Sequence, residues 1–132
     1  MKRVLIFSLA LAIAGAVGCD DDGNGNPLVP DGGSPGPSGA TITIGANGAV
    51  TPANVAITIG QSVTFINNDS RGHEMSSDPH PDHNNCPSIN ALQVVSPGQT
   101  KVTNAFNNTG SCGYHDHGDP NNNSLRGRIT IQ

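Results

Sequence analysis

Asn54–Asn67 reads NVAITIGQSVTFIN. Val55, Ile57 and Ile59 alternate with smaller or polar residues, which puts them on one face of a strand. Gly60-Gln61 is a tight turn, and Val63 and Phe65 then point inward from Ser62–Asn67. Two β-branched strands joined through Gly-Gln form a hairpin or a bulged corner. Working outward, Ala40–Ile44 (ATITI) alternates in the same way, and Gly45–Pro52 is turn chemistry. Further strand signals follow at Leu92–Val95, Thr100–Phe106 (after a turn at Pro97-Gly98), Ser111–His115 and Arg126–Ile131. Helix signals and internal repeats are absent. Seven or eight short strands within residues 40–132 predict an all-β domain, an antiparallel sandwich or Greek-key barrel.

One stretch does not fit this rhythm. Asn68–Asn90 is long, polar and rich in Pro, His, Asp and Asn, and such loops inside a small domain are usually functional. It carries three of the chain's five histidines, His73, His80 and His83; the other two are His115, at the end of the strand signal Ser111–His115, and His117, just beyond it. Neutral imidazole is the commonest side-chain metal ligand. His115 and His117 share one face of an extended strand, with Asp116 on the other. A twist as the strand enters the GDPNNN loop would swing His117 toward His73. His80 and His83 lie in DPHPDHNNC (Asp78–Cys86), where two prolines predict an extended, stiff segment able to fold over the barrel end. Met75 is either a soft ligand or a core residue. Imidazoles without a thiolate suit Cu(II), Zn(II) or Ni(II), and the affinity order favours copper. A carboxylate from Asp116 or Asp119 would push toward zinc or cupric ion.

The N-terminus reads as a targeting segment: Lys2 and Arg3, then an apolar run from Val4 to Val17 too short to span a membrane comfortably. Ala16-Val17-Gly18-Cys19 resembles the lipobox of bacterial lipoproteins, which implies cleavage after residue 18, lipidation of Cys19 and an extracytoplasmic, membrane-anchored location. Residues 19–39 are then the lipidated Cys and a flexible Gly/Pro/Asp linker, and residues 40–132 the domain. Loss of Lys2 and Arg3 takes the formal charge from −4 to −6. No basic patch is left for nucleic acid, and the membrane is met through the lipid anchor only. Of three cysteines, Cys86 and Cys112 remain, in an oxidising compartment most simply a disulfide. The competing reading makes Cys112 a thiolate ligand.

Taken together, GAVTPANVAITIGQSVTFINNDSRGH, SPGQT, GSCGYHDH and LRGRITI resemble the successive motifs of cupredoxins, the plastocyanin-like copper proteins. The resemblance covers nearly all of residues 40–132 and implies a cupredoxin-like Greek-key β-sandwich with His73 as the first copper ligand. It also shows departures. Six residues on from Gly110, where the family carries its copper Cys, stands Asp116; the second His position is Asp119 and the axial Met position is Leu125. An alternative alignment pairs Cys112 with His115. The expectation is therefore a divergent copper-binding domain for storage, delivery or sensing. Its copper would be type 2-like rather than blue, with zinc possible, held by His73 and His117 with a third ligand from His115, His80 or His83. Blue-copper electron transfer through Cys112 and a metal-free recognition domain are the alternatives. His115-Asp116-His117 has a passing likeness to the copper clamp of Cu/Zn superoxide dismutases, but no histidine follows His117. No nucleophile triad, phosphate loop or paired acidic site is apparent, and no enzyme activity is expected.

Overall fold

The structure, a computed structural model, describes residues 35–132. The signal segment, the lipidation site at Cys19 and most of the linker lie outside the described residues. Nine strands run in chain order: β1 Ser38–Ile44, β2 Val50–Thr51, β3 Asn54–Ile57, β4 Ser62–Asn67, β5 His73–Ser77, β6 Val94–Val95, β7 Thr100–Val102, β8 Gly110–Asp116 and β9 Arg126–Ile131. A one-turn helix, α1 (Pro87–Asn90), precedes β6. The strands make two sheets, β2-β1-β4-β7 and β3-β9-β8-β5-β6. The first strand begins at Ser38, which pairs with Ser62, and the Gly36 N–H donates to Ser62 Oγ at 2.7 Å.

The alternation read from the sequence is what buries the core. Ile42, Ile44, Val63 and Phe65 face inward from one sheet, Tyr114, Ile129 and Ile131 from the other. Phe65 meets Tyr114 edge-on across the sandwich at 5.5 Å and 89°, the arrangement aromatic quadrupoles favour. The Tyr114 hydroxyl donates to the Ala53 carbonyl at 2.9 Å, and burial pushes its phenol pKa well up.

Three expectations change. The strands are not all antiparallel: β1 runs parallel to β4, and β3 parallel to β9; β3 and β4 lie in different sheets, so of the hairpin and the corner expected there the hairpin is excluded. The segment Asn68–Asn90 is not one loop, for β5 pairs there with β8 and β6. Its sequence, HEMSS, has a single large apolar residue, and its inward positions include His73 and Ser77, so no apolar alternation marks it as a strand. Finally, α1 exists because Ile89 is fully buried on it and Leu92 follows into the same core.

Candidate metal centre

The register of β5 and β8 sorts the polar residues onto two faces. Met75 lies opposite Asp116, Ser76 opposite His115 and Ser77 opposite Tyr114. Since Met75 and Tyr114 are core residues, Asp116 faces inward and His115 outward. The ladder continues beyond Asp116, with the His117 N–H donating to the Glu74 carbonyl at 2.8 Å. His117 therefore stays on the face of His115.

On the outer face four histidines come together. His80, His83, His115 and His117 each offer one ring nitrogen, all within 4.8 Å of one another. His83 Nε2 lies 3.2 Å from His115 Nε2 and 3.3 Å from His117 Nδ1. The His80 ring covers the group, its centroid 5.1 to 5.5 Å from those of the other three. His115 is buried, His83 and His117 half-buried and His80 exposed.

The loop holding His80 and His83 is fixed from several sides. It is not the extended segment the prolines suggested: the His83 N–H donates to the Pro79 carbonyl at 2.8 Å, closing a turn. His83 sits at φ +48°, in the left-handed region that costs a non-glycine residue energy. Its carbonyl accepts from Ser77 Oγ at 2.9 Å and Asn90 Nδ2 at 2.6 Å, which hold that conformation. Cys86 and Cys112 form a disulfide with Cα atoms 5.9 Å apart, tying the end of the loop to β8.

Asp78 orients the set. Its Oδ1 accepts from His115 Nδ1 at 2.7 Å, which puts the hydrogen on Nδ1 and leaves Nε2 free to ligate. The carboxylate lies across Gly113, where a methyl group would overlap it. Burial, and then the neighbouring His115, His117 and His80, push the His83 pKa below its ordinary value. His83 thus favours its neutral imidazole, the form that binds metal.

His73 is elsewhere. It lies on the inner face, fully buried, with Nδ1 2.8 Å from Asp116 Oδ2 and Nε2 3.0 Å from Asp69 Oδ2. A carboxylate can only accept, so both contacts are satisfied when both ring nitrogens carry hydrogen. The expected convergence of His73 with His117 does not occur, because strand alternation is maintained through His117 and places the two on opposite faces. The His73 hydrogen bond, then the Ser70 N–H, hold the Asp69 carboxyl below the usual carboxylate range. Asn67 braces this corner: its amide donates to the Arg71 and Val95 carbonyls at 2.7 and 2.8 Å, and its Oδ1 accepts from the Asp69 N–H at 2.8 Å.

The remaining candidates lie outside the four-histidine group. Met75 and Leu125 are fully buried in the core, Asp119 accepts from Asn122 Nδ2 at 3.0 Å, and Cys112, being in a disulfide, offers no thiolate for a blue site. Sequence reading missed Asp78, Ser77 and Asn90. Asp78 stood two residues before His80 and could have been read as an orienting carboxylate; nothing in the sequence marks the other two.

No protein-family model matches the chain, and no curated protein does. Solved structures do. A purple cupredoxin from Nitrosopumilus maritimus is 21% identical with a TM-score of 0.52, over 70% of this chain and 99% of that one. Oxidised plastocyanin from Dryopteris crassirhizoma gives 16% and 0.56, over 70% and 99%. Amicyanin from Paracoccus versutus gives 16% and 0.54, over 71% and 81%. The chain has the cupredoxin fold. At these identities the likeness is one of fold, and what this cupredoxin-like domain can hold rests on its own side chains, a histidine group able to take a metal ion.

Proposed function

We propose that this chain is an extracytoplasmic, lipid-anchored copper-binding domain serving metal storage, delivery or sensing. The observation that carries the reading is the convergence of four ring nitrogens within 4.8 Å, at least one with its tautomer set by a carboxylate. His80, His83, His115 and His117 would hold the ion. Among divalent ions an all-imidazole set binds copper ahead of zinc, and zinc is the alternative occupant. The lipobox-like Ala16-Val17-Gly18-Cys19 supports the location. The lack of a free thiolate in the described residues favours this over blue-copper electron transfer.

Titration of the metal-free protein with copper, read by metal analysis and competition with a chelator, should give one ion per chain without an intense thiolate band. His83→Ala and His115→Ala should each weaken binding by roughly tenfold or more. Unchanged affinity in the double variant would leave a metal-free recognition domain as the better account. Mass spectrometry of membrane-extracted protein should find acylated Cys19 as the first residue, and an unmodified mature N-terminus elsewhere would refute the anchor.

A further inference from the structure

We infer that His80 is the exchangeable member of the histidine set, and that an anionic donor group, such as the carboxylate of a delivering or accepting partner, enters beside it through a cleft lined by Arg126. This rests on the metal-binding reading of the four histidines and concerns where a further ligand reaches the ion.

The four histidines are held unequally. His115 is buried, and its Nδ1 donates to Asp78 Oδ1 at 2.7 Å. His83 is half-buried, and its carbonyl accepts from Ser77 Oγ and Asn90 Nδ2. His117 is half-buried, and its N–H donates to the Glu74 carbonyl. His80 is exposed and meets the other three ring to ring, with no hydrogen bond to its side chain among the described residues. The ligand with the fewest other contacts is the one displaced at least cost. A displaced His80 ring returns to water and regains rotamer freedom, whereas a displaced His115 would have to leave a buried, hydrogen-bonded position.

Room for an incoming group lies beside His80. A solvent-open cleft of about 580 Å³ is lined by Asp78, Pro79, His80, Pro120, Asn121 and Arg126. Arg126 stands opposite His115 in the β8–β9 register, and directly opposed residues of an antiparallel pair share a face. Its side chain therefore starts from the face that carries the histidines. Its guanidinium is little used: Nη2 lies 3.9 Å from Asp78 Oδ1, an oxygen already bonded to His115. The other cationic side chains among the described residues are committed more closely. Lys101 Nζ donates to the Leu92 carbonyl at 2.8 Å, Arg128 Nη1 to Ser111 Oγ at 2.9 Å, and Arg71 Nε lies 3.7 Å from Asp69 Oδ2. A fork of guanidinium donors suits a carboxylate or another small anion. Asp78 supplies the only carboxylate in the cleft lining, and it is turned to His115. Four neutral imidazoles also leave the charge of a divalent ion uncompensated. With Arg126 alongside, the loaded site attracts an anionic donor more strongly than a neutral one.

The test uses the full-length, disulfide-intact protein loaded with one equivalent of Cu(II), at fixed ionic strength. Azide and acetate are the anionic probes and pyridine the neutral one, each followed by the copper absorption and paramagnetic resonance spectra. Azide and acetate should perturb both spectra. Arg126→Gln should weaken their binding about fivefold, the upper range for an exposed ion pair, and leave pyridine binding and copper affinity unchanged. Arg126→Lys should restore most of the loss. His80→Ala should lower copper affinity less than His83→Ala does, and should bind azide more tightly than wild type because the position is open. Unchanged azide affinity in Arg126→Gln, or an equal loss for pyridine, would overturn the role of the cleft. A copper loss in His80→Ala as large as that in His83→Ala would overturn the exchange assignment. Either result leaves metal binding intact, whereas failure of the wild-type protein to take up copper would overturn the metal reading as well.

Discussion

Replacing His73 by Leu separates the buried inner-face histidine from the outer-face cluster. The imidazole is fully buried and meets Asp116 Oδ2 at 2.8 Å, while Asp116 Oδ1 is served independently by the Glu74 and Gly118 N–H groups at 3.2 and 3.1 Å. Leucine fills much of the ring's volume but offers no hydrogen, so Oδ2 is left buried without a partner. Removing one member of a buried pair typically costs about 3–5 kcal/mol; because Asp116 keeps two hydrogen bonds, the lower end, about 3 kcal/mol, applies to His73→Leu. With a urea slope of about 1–3 kcal/mol/M, the unfolding midpoint of the metal-free protein should fall by roughly 1–3 M. The His73→Leu, Asp116→Asn double variant should lose less than the sum of the single changes. The deficit should also depend on pH. His73 holds the Asp69 carboxyl below its ordinary range, so this stabilisation is complete above about pH 4, where an unfolded carboxyl is ionised, and is lost as pH falls through the lowered folded value. The gap between wild type and variant should therefore narrow in acid. Metal affinity, measured in the folded range by chelator competition, should stay within about threefold of wild type, since no ligand is removed. A midpoint shift under roughly 0.5 M, or a tenfold loss of metal affinity, would refute the separation of the two sites.

Replacing Cys86 and Cys112 together by Ser opens a cross-link spanning a sequence separation of 26; loop-closure entropy puts the cost at about 3.5 kcal/mol in denaturant unfolding. The same variant should bind metal more weakly, because the loop carrying His80 and His83 loses its tie to β8, and unchanged affinity would show that the hydrogen bonds to His83 suffice alone. Gly113→Ala places a methyl group where the Asp78 carboxylate lies, so the Asp78–His115 bond should be displaced and affinity should fall roughly 10–100-fold; equal affinity would deny Asp78 an orienting role. Metal binding should weaken in acid as protons compete for the rings. Burial and its histidine neighbours lower the His83 pKa from 6.5, so ring NMR of the metal-free protein should show His83 protonating below that value, and protonation above it would be inconsistent. For the metal-free protein, the unfolded chain takes up this proton more readily than the folded one, so stability should also fall as pH drops through about 6.5.

The strands whose apolar alternation is regular were legible in the sequence. Ala40–Ile44, Ser62–Asn67 and Arg126–Ile131 match β1, β4 and β9 to within two residues. β5 was not legible, since a strand whose inward residues are His73, Met75 and Ser77 is buried by its neighbours rather than by its own hydrophobicity. α1 was hidden for the opposite reason: a single turn is too short to show a period. At the site, the pairing of His115 with His117 followed from strand geometry alone. The turn that brings His80 and His83 to them depends on contacts from Ser77 and Asn90, which lie outside the loop's own pattern.

The strand alternation that separates His73 from His117 also accounts for the histidine group that could hold a metal. β8 carries Tyr114 and Asp116 on its inner face and His115 and His117 on its outer one. On the inner face Asp116 meets His73, and His73 in turn meets Asp69, so both nitrogens of the one inner imidazole are engaged. A metal there would have to break a buried, hydrogen-bonded pair before gaining its first ligand. On the outer face the nitrogens have no comparable partners; they face one another at 3.2 and 3.3 Å, and the carboxylate nearby, Asp78, binds the back of a ring and leaves its front open. The cost of ordering the outer set is met in advance by the disulfide, the left-handed His83 and the Asp78–His115 bond. A metal ion would therefore meet less resistance at the outer-face histidines than at His73, the position that the linear order of motifs suggests.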